Sequence, residues 1–519
     1  MQEGSSGGVG GRFSGGALPL LGRDAELASL TDALAEAAAG RGALIQLTGE
    51  PGIGKTRLAQ ALGEQAGSAR ARVVWARGWD GGGAPAFWPW VQVIRELTAG
   101  ATDDELRAAL GPGARWVVGL APELRERLGL PEGGDALESD RARFALFDGV
   151  AIFLRALAAD RPLLIVLDDL QSADQASLLL LAFVARMVGE MGVLVVTTHH
   201  DAGPRRDPEL EAIFGELARF GQRLDLGGLS DQDLRALVLH RSGGEPSEAL
   251  VRSLLELTDG NPLYSDEVVR LLATQRRLGR PLDERARPPL PDGVRDAIRR
   301  RLLPLPPQAR ELLEIGAVEG RIFSLATLDR AAGLTRAETL ERLDSAVVGQ
   351  LVEDAPGPVA HLRFVHGLIR ETIYGDLPGA RRALLHVAVG ESLEREGAPA
   401  SELAHHFVEG AAAADPERAL TYAERAGHEA LAGLSYERAA ELFDAALTAL
   451  AHAPEPDEAR RGRLLLARGQ ALMQAGGDAA RGTLRSAVEL AEAAGDAELR
   501  ARAAIAMGGF GLSPGIVDD

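Results

Sequence analysis

An α/β core built on a parallel sheet, followed by a longer and mainly helical region, is the fold class that three features of the sequence predict. The first is Gly49-Glu50-Pro51-Gly52-Ile53-Gly54-Lys55-Thr56. It fits the G-x-x-x-x-G-K-[ST] loop, in which backbone N–H groups and a helix N-terminus cradle phosphates. The second is Leu163-Leu164-Ile165-Val166-Leu167-Asp168-Asp169, a continuous apolar run ending in two acids, which is how a strand buried on both faces reads. The third is the Ala/Leu-rich stretch from Ser401 onward, where paired helical patterns recur about every 40 residues, the spacing of a helical solenoid.

The phosphate loop has the right neighbours. Ala43 to Thr48 reads as a short buried strand and Thr56 to Gln65 as a helix. Of the 56 basic residues, 55 are arginine and Lys55 is the single lysine. A compact ammonium fits between β- and γ-phosphates where a planar guanidinium does not, so this position differs from every other basic site in the chain. Gly49, Pro51, Gly52, Ile53 and Gly54 are expected to wrap ATP or ADP, with Lys55, Thr56 and Arg57 opening the helix behind the phosphates. Thr56 and Asp168 are the expected holders of a nucleotide-bound Mg²⁺, and Asp169 the residue that orients or deprotonates the attacking water.

Composition narrows the classes. The chain has 519 residues, 46% of them apolar, and a net charge of −19. That length allows three or four domains, and the acidic balance opposes broad electrostatic binding to nucleic acid. Without cysteine there are no disulfides or thiolate metal sites. The ten histidines show no H-x-x-x-H pair with nearby carboxylates, so the nucleotide's Mg²⁺ is the metal expected. No apolar run reaches the length of a membrane span and no basic-then-apolar leader opens the chain, which predicts a cytoplasmic protein without a membrane partner.

Five parts follow in order. Residues 1–17, rich in glycine, read as a disordered leader. Residues 18–228 hold the core, with further strands at Arg72–Ala76, Gly192–Thr198 and Arg223–Leu226, and one strand expected between those of the loop and of Asp168. All five tryptophans lie between Trp75 and Trp116, densest around Phe87-Trp88-Pro89-Trp90. They read either as a recognition surface or, preferably, as rings packed on the core. Residues 229–285 form a helical lid broken at Asp259-Gly260-Asn261-Pro262, and an Arg/Pro-rich linker spans 277–292. Residues 286–395 have the order of a winged helix, with strands near Leu351–Asp354 and Arg363–Val365 flanking a Pro-Gly turn. Arg295, Arg299, Arg300 and Arg301 sit on its first helix, either facing DNA or, preferably, pairing with nearby acids. Residues 396–519 are tetratricopeptide-like repeats or a plain bundle, and the array ends in a third repeat as if it continued.

Taken together these residues resemble the STAND class of signalling ATPases, with an AAA-like, origin-recognition-like module. More narrowly they are similar to large actinobacterial LuxR-type ATP-binding regulators, without the C-terminal helix-turn-helix. The resemblance implies that Gly22 and Arg23 form an entry motif beside the adenine. It implies that Pro262, in Gly260-Asn261-Pro262, touches the base, and that His366, in Phe364-Val365-His366-Gly367-Leu368-Ile369-Arg370, senses the ADP phosphate. Two positions depart from the pattern. Thr197-Thr198-His199-His200 stands where the class has an arginine that senses the γ-phosphate, leaving His200 as the candidate there, and Gly367 replaces an acid.

The expected function is a nucleotide-controlled signalling switch with slow hydrolysis, regulating transcription through opening and self-association when a ligand or protein engages the repeats. Two alternatives stay open. One is a DNA-binding, origin-recognition-like ATPase using its winged helix. The other is a repeat scaffold whose nucleotide site does not hydrolyse.

Overall fold

The computed structural model describes residues 19–68, 70–79, 83–130, 139–200, 208–274, 294–355, 360–413, 415–453 and 457–508. The expected leader, the Arg/Pro-rich linker and the Pro-Gly turn of the wing lie outside these residues.

The core begins with α1 (Asp24–Ala38), β1 (Ala43–Thr48), α2 (Lys55–Ser68) and β2 (Arg72–Arg77). Helices α3 (Trp88–Ala99), α4 (Asp103–Leu110), α5 (Ala114–Leu120), α6 (Glu123–Leu128) and α7 (Ser139–Leu157) follow. Then come β3 (Leu163–Asp168), α8 (Gln175–Met187), β4 (Val193–Thr198), α9 (Pro208–Phe220) and β5 (Gln222–Asp225). The five strands are parallel, in the order β2-β3-β4-β1-β5. β4 is thus the strand expected between those of the loop and of Asp168. Every residue of β3 and β4 is buried, because helices cover both faces of the sheet. Alternate side chains Ile45, Leu47, Leu164, Val166, Leu194 and Val196 pack with Leu30, Leu58 and Leu62 of α1 and α2. Their neighbours Leu163, Ile165, Leu167, Val193 and Val195 pack with Trp90, Phe153 and Leu181 on the other side. The period-2 geometry of a strand makes this division.

The aromatic stretch is packing. Trp90 is fully buried and its indole N–H donates to the Ser177 carbonyl at 3.0 Å. Trp79 and Trp88 meet edge to face with centroids 5.1 Å apart.

Helices α10 (Asp231–Ser242), α11 (Glu248–Thr258) and α12 (Pro262–Thr274) form the helical unit that the sequence predicts as a lid. Ser230 and Asp233 close a capping box at its start. Inside it, Arg241 grips Asp266 with contacts of 2.7 and 3.0 Å.

The next unit comprises α13 (Val294–Leu302), α14 (Pro307–Glu319), β6 (Ile322–Ser324), α15 (Leu325–Ala332), α16 (Arg336–Val348), β7 (Val352–Asp354), β8 (His361–Phe364) and α17 (Gly367–Asp376). Two strands were expected. The sheet has a third, in the order β6-β8-β7 and antiparallel. β6 is three residues long and runs straight into α15, whose N-cap is Ser324, so it leaves no separate period in the sequence. Two arginines of α13, Arg299 and Arg301, are engaged within the molecule. Arg299 meets both carboxylate oxygens of Asp376 at 2.9 and 2.8 Å, and Arg301 pairs with Glu267 of the lid.

Glu319, at the end of α14, is pushed up to about 8 by burial. The unfolded chain releases this proton near 4.5, so the native state binds more protons between about 4.5 and 8 and stability falls as pH rises through that window. Glu319→Gln should therefore stabilise the protein by roughly 1 kcal/mol or more at pH 9 and little at pH 5. Thermal melts at the two pH values check this, and an equal effect at both would reject it.

The remaining helices are α18 (Gly379–Glu396), α19 (Ala400–Glu409), α20 (Pro416–Ala432), α21 (Tyr436–Ala451), α22 (Glu458–Ala475), α23 (Ala480–Ala494) and α24 (Ala497–Gly508). Close helix approach is set by small residues. A Cβ on Gly427 would sit 2.7 Å from the Phe443 ring, and one on Gly469 would sit 2.6 Å from Leu484. The array also touches the core. Arg143 of α7 pairs with Glu437 of α21 at 3.1 Å, in a contact where both side chains are largely buried, and Leu434 packs on the core cluster. Among the described residues, no helix is long and apolar enough to cross a membrane.

Candidate functional site

Register places the chemistry. In the parallel sheet Arg77 pairs with Asp168 and Leu47 with Thr198. The C-terminal ends of β1, β2, β3 and β4 therefore lie side by side, the edge where open α/β sheets bind ligands. The loop from Gly49 to Gly54 leaves β1 there and enters α2 at Lys55. Gly49, Gly52 and Gly54 have φ of 137°, 82° and 104°, which a side chain rarely adopts. Nothing lies within 4 Å of where a Gly54 Cβ would project, so the backbone here is open to a ligand.

Around this loop lies a cavity of about 400 Å³. Pro51, Gly52, Gly54, Lys55, Thr56 and Arg57 form one wall, and Arg77, Asp169 and His200 stand at the sheet edge. Lys55 is nearly buried, its ammonium donating to the Gly49 and Glu50 carbonyls at 2.8 and 2.9 Å. Asp168 lies behind the wall at 1% exposure. One of its oxygens accepts from Thr56 at 2.8 Å and from Thr198 at 2.6 Å, and the other takes Arg77 at 2.5 and 3.1 Å. Asp169 adopts left-handed backbone, φ 58°, a conformation Asp tolerates better than most residues and one concentrated at functional sites. The Asp169 N–H donates to Thr198 at 2.9 Å, and its carboxylate faces Gln171 and Arg321, each at 3.3 Å. The Thr198 hydroxyl thus fixes both acids at once.

The opposite wall belongs to the second sheet. Arg321, Arg363, His366, Gly367 and Arg370 line the same cavity, which brings the N-terminus of α17 to face that of α2 across it. Burial, with Arg321 and Arg270 nearby, pushes His366 down to about 4. At neutral pH the imidazole is therefore uncharged in this arrangement.

Several expected positions fall elsewhere. Gly22 and Arg23 are not on the cavity wall. Arg23 is buried at 5% exposure and its guanidinium donates to the carbonyls of Ile53 at 3.2 Å and Gly227 at 2.5 Å, bracing the loop from behind. A Cβ on Gly22 would collide with Asp233 of the lid. Pro262 opens α12, and its neighbour Leu263 faces the cavity. The Leu263 N–H donates to the Gly52 carbonyl at 3.3 Å, while Asn261 donates to Pro51 at 3.0 Å. One backbone and one side-chain hydrogen bond thus tie these helices to the phosphate loop. Gly49 and Ile53 lie in the loop but off the wall.

Sequence reasoning missed Arg77, Arg321 and Arg363, and gave no role of their own to Thr198 and Arg370, which it quoted only within longer stretches. Arg77 and Thr198 end strands at the sheet's C-terminal edge, a position that could have marked them. Arg321, 152 residues from Asp169, carries no local signal.

Residues 19–196 match the family described as AAA ATPase domain. This part of the chain is an AAA ATPase domain. A nucleotide is therefore the ligand its loop binds, and the residues present fit it: glycine-conformed loop, buried lysine and arginine-rich wall. An uncharacterized protein of Rhizobium meliloti (strain 1021) is 26% identical over 410 residues, covering 72% of this chain. The chain spans 37% of the length of that relative. Among solved structures, a signal transduction ATPase with numerous domains and a tetratricopeptide repeat sensor from Pyrococcus horikoshii is 14% identical. It covers 92% of this chain and 79% of its own, with a TM-score of 0.40. Cdc6p from Pyrobaculum aerophilum is 15% identical, covers 73% and 98%, and has a TM-score of 0.32.

Proposed function

We propose that this protein is a nucleotide-controlled signalling switch, in which the AAA ATPase domain, the lid and a winged-helix unit close on one bound nucleotide. The observation that carries the reading is the shared cavity, walled by the phosphate loop on one side and by Arg321, His366 and the start of α17 on the other. A ligand contacting both walls stabilises the arrangement in which they face each other, and one contacting a single wall does not. ADP held between Lys55 and neutral His366 is the closed state. Engagement of the tetratricopeptide-like repeats, which touch the core through Arg143 and Glu437, favours exchange to ATP, opening and self-association that regulates transcription.

Thr56 and Asp168 would hold Mg²⁺, which supplies charge neutralisation to the phosphates when bound. Asp169, held by the Thr198 hydroxyl, accepts a hydrogen bond from the attacking water. Its carboxylate is also engaged by Arg321, which slows hydrolysis.

The test is the nucleotide content of the purified protein, with sedimentation in ADP and in a non-hydrolysable ATP analogue. A monomer with ADP and a larger species with the analogue are expected, and identical sedimentation in both defeats the switch. His366→Ala should speed ADP release about fivefold, the loss of one hydrogen bond of about 1 kcal/mol, read by displacement of a fluorescent ADP. The DNA-binding alternative is disfavoured because Arg299 and Arg301 are bound to Asp376 and Glu267.

A further inference from the structure

Helix α17 starts at the nucleotide cavity, where Gly367, Arg370 and Glu371 stand on the wall beside His366. One turn after Arg370 comes Tyr374, its ring centroid 5.5 Å from the Arg370 guanidinium carbon. The Tyr374 hydroxyl meets Nε2 of His386 in α18 at 3.0 Å, and Nδ1 of His386 meets Nδ1 of His406 in α19 at 3.1 Å. Both histidines are buried. His405 lies against them, with ring centroids 5.4 and 5.2 Å away. It also lines a second cavity of about 290 Å³, between Trp79, Ser172 and Asp174 of the core and Glu437 and Arg438 of α21. We infer that the Tyr374–His386–His406 chain is the joint that couples the nucleotide wall to the seam between core and repeats.

The chain responds as a unit. Burial pushes His386 down to about 3 and holds His406 well below the ordinary imidazole range, so at neutral pH each ring carries one N–H. A single proton therefore lies between the two Nδ1 atoms. If His386 supplies it, His386 Nε2 accepts from the tyrosine hydroxyl. If His406 supplies it, His386 Nε2 donates to the tyrosine oxygen. Neither bond reverses without the other, which gives the chain two discrete arrangements of the kind that transmit coupling. Moving Tyr374 away leaves a buried His386 nitrogen without its partner, a costly state in a low-dielectric interior. Among the described residues no three His, Cys, Asp or Glu side chains are placed to hold a metal ion, so hydrogen bonding is what these rings are arranged for. Close packing carries a shift onward. A Cβ on Gly390 of α18 would come 3.2 Å from His406, and one on Gly83 of the core 2.3 Å from the Ser401 carbonyl of α19.

The inference rests on the switch reading, in which ADP fastens the start of α17. Tyr374 follows His366 by about two turns of the same helix, so holding one end of α17 holds the tyrosine against His386. When the wall departs, the chain loses its first member and α19 loosens on the core. Tyr374 is a positioning residue, since it lies off the cavity wall.

Hydrogen exchange of the full chain, read by mass spectrometry with and without Mg²⁺ and ADP, tests the joint on peptides from the phosphate loop, α17, α19 and α21. In the native chain ADP should slow exchange in all four, by at least about threefold in α19 and α21. In Tyr374→Phe, which keeps the ring and removes the hydroxyl, the loop and α17 should still slow, while the effect in α19 and α21 falls below about 1.5-fold. His386→Phe, which fills the same space and breaks both bonds, should give the same loss. Native-sized slowing of α19 in either variant overturns the joint and leaves these residues structural. So does a native chain in which ADP slows α17 but not α19, a result that needs no variant to fold. A native chain in which ADP slows the phosphate loop but not α17 removes the two-walled closed state, and with it the switch reading.

Discussion

Lys55→Ala is expected to abolish nucleotide binding at micromolar concentrations, with at least a hundredfold loss of affinity for both ADP and ATP. The ammonium sits under the glycine loop, donating to the Gly49 and Glu50 carbonyls, where a β-phosphate oxygen would compete for it. Losing one charged hydrogen bond weakens binding by about 1.5–3 kcal/mol, and losing a full charge opposite a polyphosphate adds to that. Lys55→Arg should lose at least about tenfold, because a bulky planar fork does not fit a nearly buried pocket shaped around a point charge. Titration with a fluorescent nucleotide analogue reads both. Retention of native affinity by either variant contradicts the site as described. A melting curve without nucleotide separates lost binding from lost folding.

Asp168→Ala should destabilise the core by about 3 kcal/mol, since breaking a buried charge network by removing one partner leaves the others uncompensated. The carboxylate is 1% exposed and receives Thr56, Thr198 and both contacts from Arg77. Arg77 is about one-third exposed, so water recovers part of its solvation and keeps the loss below the upper end for buried pairs. Asp168→Asn retains an acceptor for the hydroxyls and should lose roughly half as much. Urea unfolding followed by circular dichroism measures both. A loss under about 1 kcal/mol in Asp168→Ala would mean that the Arg77–Asp168 pair is a surface contact. Loss of Asp168 should also remove the Mg²⁺ dependence of ATP binding.

The strands and the phosphate loop were legible because each is a local pattern. Leu163 to Asp168 is apolar at every position, as helices on both faces of the sheet require. The second sheet was legible only in part. Strands were expected at Leu351–Asp354 and Arg363–Val365 and lie at Val352–Asp354 and His361–Phe364, but Ile322–Ser324 is too short to show an alternation and is absorbed by the cap of the next helix. The aromatic patch could be read two ways, and burial of Trp90 against Ser177 decided for packing. Arg299 and Arg301 of α13 were likewise ambiguous until Asp376 and Glu267 supplied their partners.

By itself the sequence determined that Lys55 closes a phosphate-binding loop and that Asp168 and Asp169 end a buried strand, because spacing within one segment dictates both. Only the tertiary structure decided what faces that loop. Arg77 reaches Asp168 through parallel register, Arg23 turns behind the loop to brace its carbonyls, and Arg321 and His366 arrive from a separate sheet. No periodicity links such positions, since their proximity comes from how the core, the lid and the second sheet pack, and packing between distant segments leaves no mark in local spacing.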